Sequence, residues 1–138
     1  MDDKYIKMLK AMLSGSVTSI QVFILTLIFA IPLALPVAMG RMSKNKLLSG
    51  CTNVFLLIIR GTPLMLQLLV VYFGPYYIFH ISLSPQYRGV AVIIAFALNY
   101  AAYFAEIYRS GIQSMPIGQY EAARVLGYTK TQTFFVII

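Results

Sequence analysis

Residues 17–39 read VTSIQVFILTLIFAIPLALPVAM, without a charged side chain from end to end. Roughly 20 apolar residues suffice to cross the hydrocarbon core of a bilayer as one helix. The stretch is therefore expected to span a membrane. Pro32 and Pro36 are expected to bend it toward one end, since each lacks a backbone donor and crowds the preceding turn. Neighbouring helices must then satisfy the freed carbonyls.

Working outward, residues 1–13 put Tyr5, Ile6, Leu9, Met12 and Leu13 on one side of a helix and Lys4, Lys7 and Lys10 on the other. This segment is expected to lie in the membrane interface as a separate amphipathic helix. After the first span, residues 41–50 form a polar loop carrying Arg41, Lys44 and Lys46. A second apolar block, 53–73, is interrupted by Arg60, Gly61, Thr62, Pro63 and Gln67. Residues 74–88 read as a loop, and 89–111 as a third span. Beyond it, Pro116 and Gly127 frame a short helix at about 116–127. The expected fold class is an all-α membrane protein with three spans.

Composition agrees. Hydrophobic residues make up 59% of the 138 residues and charged residues 11%, against about a quarter charged in soluble domains. Mean hydropathy is +0.78. The net charge of +7 comes from Lys and Arg that mostly flank the apolar blocks. They fit membrane topology rather than nucleic-acid binding. Arg41, Lys44 and Lys46 follow span one, while Arg109, Arg124 and Lys130 lie at and after the end of span three. Two reversals put both groups on one side, which is expected to be cytoplasmic, with the N-terminus outside. Lys4, Lys7 and Lys10 count against this, although Asp2 and Asp3 stand beside them. Cys51 and His80 have no partners at metal-ligand spacing, and no nucleophile–base constellation is present. Neither a cofactor nor an enzymatic reaction is expected.

Polar groups within the spans are the candidate functional residues, because an intramembrane charge is costly unless it faces protein or water. Asn99, Tyr103, Glu106, Ser110 and Gln113 fall on one face of span three. That face either lines a polar cavity or subunit contact, or holds helices together. Ala101, Ala102 and Ala105 suit close helix packing under either reading. Arg60 and Gln67 share a face of the second block, and Gly61 and Pro63 around Thr62 predict a locally opened helix. Arg60 either serves that opening or snorkels to the interface. Arg60 and Glu106 lie about two turns from the same membrane end, so an ion pair between them is expected.

Residues 114–127 read SMPIGQYEAARVLG. Glu121-Ala122-Ala123, three residues and Gly127, then nine residues to Ile137, resemble the cytoplasmic signature of ABC importer permeases, whose pattern continues with one residue and Leu-Pro. The chain stops at Ile138, where Leu-Pro would begin. Arg60-Gly61-Thr62-Pro63-Leu64 with Gln67 and Tyr72-Phe73-Gly74 resembles the second-span motif of the polar amino-acid permeases. So does the stretch from Tyr103 through Ile112 to Pro116 and Gly118-Gln119. That family includes glutamine, histidine, arginine, cystine and opine systems. The resemblance runs from about Gly15 to the end.

It implies a type I ABC importer transmembrane domain in the bacterial cytoplasmic membrane, with three of about five helices present. It also implies three partners: a cytoplasmic ATPase subunit, an extracytoplasmic amino-acid-binding protein and a second permease subunit, identical or paralogous. No Walker A pattern occurs in the chain, so ATP chemistry would belong to the ATPase. Glu121, Ala122, Ala123 and Gly127 would form the coupling segment. Candidate substrate-path residues are Arg60, Thr62, Gln67, Asn99, Tyr103 and Glu106. An ion-gradient-driven secondary transporter would account for the broken helix and the charges, but not for the Glu-Ala-Ala spacing. A structural membrane subunit without transport is a further alternative.

Overall fold

A computed structural model describes residues 3–137. Positions 1, 2 and 138, which fall within the expected segment boundaries, lie outside it. Six helices follow in order: α1 (Asp3–Arg41), α2 (Lys46–Gly61), α3 (Leu64–Phe79), α4 (Tyr87–Ser114), α5 (Ile117–Val125) and α6 (Lys130–Val136).

The expected break between an interfacial helix ending at 13 and a span beginning at 17 is absent. α1 runs unbroken for 39 residues, about 58 Å at 1.5 Å per residue. The helix runs through Ser14, Gly15 and Ser16, and the hydroxyls of this stretch fold back onto it. The hydroxyls of Ser16, Thr18 and Ser19 donate to the carbonyls of Met12, Ser14 and Gly15, each four residues back. Pro32 and Pro36 also lie inside the helix, which continues through both to Arg41.

The second block differs more. A single span at 53–73 is replaced by two 16-residue helices, α2 and α3, that meet at 107°. Pro63 explains the position of the break. It has no N–H to continue α2, and it forces the residue before it out of the α region. Thr62 accordingly has φ −114° and ψ 142°. α1 and α4 are each long and apolar enough to cross a membrane alone, and α2 with α3 qualifies only as a bent pair.

The core is built from small residues. Thr26, Ala30, Ala34 and Ala38 recur every fourth residue on α1, and all are 4% exposed or less. Ala101, Ala102 and Ala105 on α4 pack against this stripe, together with Leu56 of α2. Among the described residues no large side chain is fully buried, whereas Phe23, Met39, Leu57 and Met65 are more than 60% exposed. A soluble domain would show the reverse. In lipid, burying large apolar groups between helices gains little, so close packing of small residues holds helices together. Gly40 permits the same closeness between α1 and α2: a Cβ there would stand 2.8 Å from Thr52 Oγ1.

α1 and α4 run parallel. Residues 18–27 of α1 border Phe96 and Tyr100 of α4, and Arg41 at the end of α1 meets Glu106 further along α4. The C-terminal ends of both helices thus share one end of the molecule, where α2 begins and where α5 follows α4.

Candidate functional site

Glu106 is the hub of that end. Its carboxylate accepts from Arg109 Nη2 at 2.8 Å and from Arg109 Nε at 3.1 Å. This is an (i, i+3) pair on α4. Arg109 also donates to Gln113 Oε1 at 2.6 Å. Two more guanidiniums approach from other helices, Arg41 Nε at 3.8 Å and Arg60 Nη1 at 3.9 Å. The expected Arg60–Glu106 approach is therefore present, but as the longest of three contacts. Arg60 also lies over the Tyr103 ring, 5.6 Å from its centroid. Two cavities flank the hub. One, of about 440 Å³, is lined by Arg41, Asn53, Arg60, Tyr103 and Glu106 among others. The second, of about 660 Å³, is lined by Arg60, Tyr103, Glu106, Ser110 and Ser114 among others.

The remaining candidates form a different structure. Breaking the helix at Pro63 frees carbonyls at the end of α2, and one side chain collects them. Gln67 Nε2 donates to Ile59 O at 2.6 Å, Thr62 O at 3.0 Å and Thr62 Oγ1 at 2.9 Å. Gln67 Oε1 accepts from Asn99 Nδ2 at 3.0 Å. Asn99 is 6% exposed. Thr62, Gln67 and Asn99 thus satisfy one another and the broken backbone, pinning the bend to α4. The six expected path residues divide in two: Arg60, Tyr103 and Glu106 around open space, and Thr62, Gln67 and Asn99 inside a closed network. The polar face of α4 divides in the same way, with Asn99 joining helices and Tyr103, Glu106 and Ser110 lining cavities.

Sequence reading used Arg41 for topology, and Arg109 for topology and as part of the Tyr103–Ile112 resemblance, but neither as a candidate site residue. Arg109 was detectable as a site residue from its (i, i+3) spacing to Glu106. Arg41 was not, because its place depends on the parallel packing of α1 on α4.

The 116–127 segment folds as α5 followed by a tight stop. Gly127 has φ +75°, Tyr128 N donates to Ala123 O at 2.9 Å, and Gly127 N donates to Arg124 O at 3.0 Å. These two bonds make a Schellman cap, which places glycine at the left-handed position. Thr129 then caps α6 in a reciprocal capping box with Gln132. Tyr120 donates its hydroxyl to Ile112 O at 3.3 Å and ties α5 to the end of α4. Ala123 is fully buried, Glu121 and Ala122 are exposed, and Ile117, Val125 and Leu126 are 75%, 87% and 67% exposed. α5 therefore offers an exposed surface at the foot of α4 that is apolar at Ile117 and Val125 and carries one charge of each sign, Glu121 and Arg124.

Residues 30–138 match the family described as binding-protein-dependent transport system inner membrane component. The nopaline transport system permease protein NocM of Agrobacterium fabrum is 34% identical, over 92% of this chain and 55% of that protein. The L-cystine transport system permease protein TcyB of Bacillus subtilis is 40% identical, over 91% and 53%. The histidine/lysine/arginine/ornithine transport system permease protein HisM of Escherichia coli is 35% identical, over 91% and 55%. The chain thus spans about half the length of the curated relatives it matches. A chain in the crystal structure of an amino acid ABC transporter with histidines shares the fold, with a TM-score of 0.77 at 33% identity over 96% of this chain and 62% of that one. In sequence and in fold alike, the chain belongs to the binding-protein-dependent transport system inner membrane component family.

Proposed function

We propose that this chain is part of the permease subunit of an ATP-driven importer for polar amino acids in the bacterial cytoplasmic membrane. The observation that carries the reading is the agreement of three sequence relatives with the structural one. NocM, TcyB and HisM are named as permeases for nopaline, L-cystine and histidine/lysine/arginine/ornithine, and the structural relative is an amino acid ABC transporter. An extracytoplasmic amino-acid-binding protein delivers substrate, a second permease subunit completes the path, and a cytoplasmic ATPase supplies the energy.

The end of the molecule carrying Arg41, Arg109 and α5 faces the cytoplasm, with the N-terminus outside, in keeping with the positive charge of its loops. Glu121, Ala122, Ala123 and Gly127 form the coupling segment. The exposed side of α5 docks on the ATPase, and its rigid cap and tie to Ile112 pass movement to α4. Arg60, Tyr103 and Glu106 face the substrate path through the cavity of about 660 Å³ that they share with Ser110 and Ser114. Thr62, Gln67 and Asn99 shape it by holding the α2–α3 bend.

Uptake of radiolabelled amino acids in cells tests the reading. Uptake is expected to be lost on deletion of the permease gene, and equally when the partner ATPase carries a Walker A lysine substitution. Uptake that survives the ATPase substitution but collapses with a protonophore would identify an ion-gradient transporter instead. Uptake unchanged by the deletion would leave a structural role.

A further inference from the structure

The charges at the hub do not balance. Glu106 is committed to Arg109 by its two short bonds, while Arg41 and Arg60 stand 3.8 and 3.9 Å from the same carboxylate. Arg41 Nε is buried and has no hydrogen-bond partner among the described residues. Among the described residues, three guanidiniums around one carboxylate leave an excess of about two positive charges at the edge of an apolar medium, where unpaired charge is costly. Arg41 and Arg60 direct this excess at the cavity of about 440 Å³ between α1, α2 and α4.

Two further features narrow the chemistry of an occupant. The first is depth. Arg41 is the first charged residue after the apolar run of α1, and Lys44 and Lys46 follow it, so the cavity lies at the boundary between hydrocarbon and headgroups. The second is the wall. Leu57 lines the cavity, and Val54, Leu57 and Ile58 of α2 are 55%, 65% and 58% exposed. The charged pocket therefore opens beside an apolar surface.

We propose that this cavity binds the phosphate group of an anionic phospholipid, held between Arg41 and Arg60, with an acyl chain along Leu57 and Val54. Guanidinium forks match phosphate oxygens in geometry and charge. A free phosphate would satisfy the arginines but not the adjoining apolar wall. The bound lipid joins the end of α1 to the end of α2 beside the Glu106 hub. The assignment is independent of the transported substrate, since lipid retention is measured without transport.

The test uses the chain purified with its natural partners, in nanodiscs of phosphatidylcholine with or without phosphatidylglycerol. Lipid retained after detergent washing is counted by native mass spectrometry, and thermal unfolding is followed in parallel. Retained phosphatidylglycerol and a raised Tm are expected. Arg41→Gln should weaken retention about fivefold, and the double variant with Arg60→Gln roughly 30-fold, at about one surface cation's attraction per arginine. Arg41→Lys with Arg60→Lys guards against misfolding: it keeps the charge, loses the fork, and should retain an intermediate amount. Lys44→Gln with Lys46→Gln should reduce retention less than the arginine pair. Three results would overturn the proposal: wild-type retention in the double glutamine variant, an equal loss from the lysine pair, or the same rise in Tm from inorganic phosphate in phosphatidylcholine alone.

Discussion

At the scale of single residues, the structure separates side chains that a sequence pattern groups together. Gln67 makes three donor contacts and one acceptor contact, all within the protein. Gln67→Leu keeps the size but leaves the Ile59 carbonyl and the Asn99 amide unpaired, at about 1–3 kcal/mol for each buried group. A fall of several degrees in Tm in detergent is expected, whereas Tyr103→Phe at the open cavity should leave Tm nearly unchanged. Glu106 can be assigned its partner by double-mutant cycles. Arg109 should show the larger coupling, because it alone makes short hydrogen bonds to the carboxylate. An equal or larger coupling to Arg60 in thermal unfolding would contradict that order. Gly127 has a backbone requirement and, in the proposed role, a docking requirement. Its φ of +75° disfavours most side chains, yet a Cβ there meets nothing within 4 Å. Asparagine and aspartate tolerate the left-handed region better than most residues, and asparagine is the usual substitute for glycine at this cap. Both Gly127→Asp and Gly127→Asn are expected to abolish uptake while the protein still inserts in the membrane, because each adds a side chain to the docking face. Normal uptake with asparagine would reduce the role of Gly127 to its turn.

At the scale of elements, the α2–α3 bend shows which part of the fold was legible. Gly61-Thr62-Pro63 announces a break because proline forbids the next helical bond, a purely local constraint. The 107° angle is not local. It goes with Gln67 reaching back eight residues to Ile59 and with Asn99 reaching across 32 residues to Gln67. The continuity of α1 was not legible either, since the change from a lysine-bearing to an uncharged stretch at residues 13–17 reads as a boundary, whereas the helix runs through it. The short helix at 116–127 was the most legible element, because its stop needs only Gly127 and backbone bonds within a turn. If the Gln67 clamp rather than the proline sets the angle, Pro63→Ala alone should leave the bend in place, and Pro63→Ala with Gln67→Leu should open it. Spin labels on cysteines introduced at Val54 and Val70, both exposed, in a Cys51→Ser background, would report this. The distance between labels should change little in the single variant and lengthen in the double. Lengthening in the single variant would return the angle to proline.

At the scale of the whole molecule, the sequence indicated membrane residence through its apolar blocks but not how those blocks meet. Ala101, Ala102 and Ala105 were recognisable as packing residues from the small size of their side chains. Their counterparts Ala30, Ala34 and Ala38 lie in a run whose hydrophobicity is the same all round, so only the four-residue recurrence of small side chains, and not the apolar pattern, marks the inner face. The parallel seating of α4 on α1 buries that face, and the same seating brings Arg41 to Glu106 and creates the charged end of the molecule. Packing and site therefore share one cause, and a variant that disturbs the seam should disturb both. Ala34 is fully buried, while its neighbour Leu33 is 38% exposed. Ala34→Leu adds volume where two backbones approach closely, and overpacking of this kind costs about 1–3 kcal/mol. Leu33→Ala changes the same number of heavy atoms but on the outer face, so it should change stability by no more than about 0.5 kcal/mol. Thermal unfolding in detergent is expected to rank the two in that order, opposite to the usual expectation that shaving a leucine does more harm than enlarging an alanine. The Ala34→Leu variant should also weaken the coupling between Arg41 and Glu106 in a double-mutant cycle, since the helix ends that carry them would part. If the coupling survived unchanged while stability fell, the charged end would be held by α2 and its contacts with Arg41 rather than by the alanine seam.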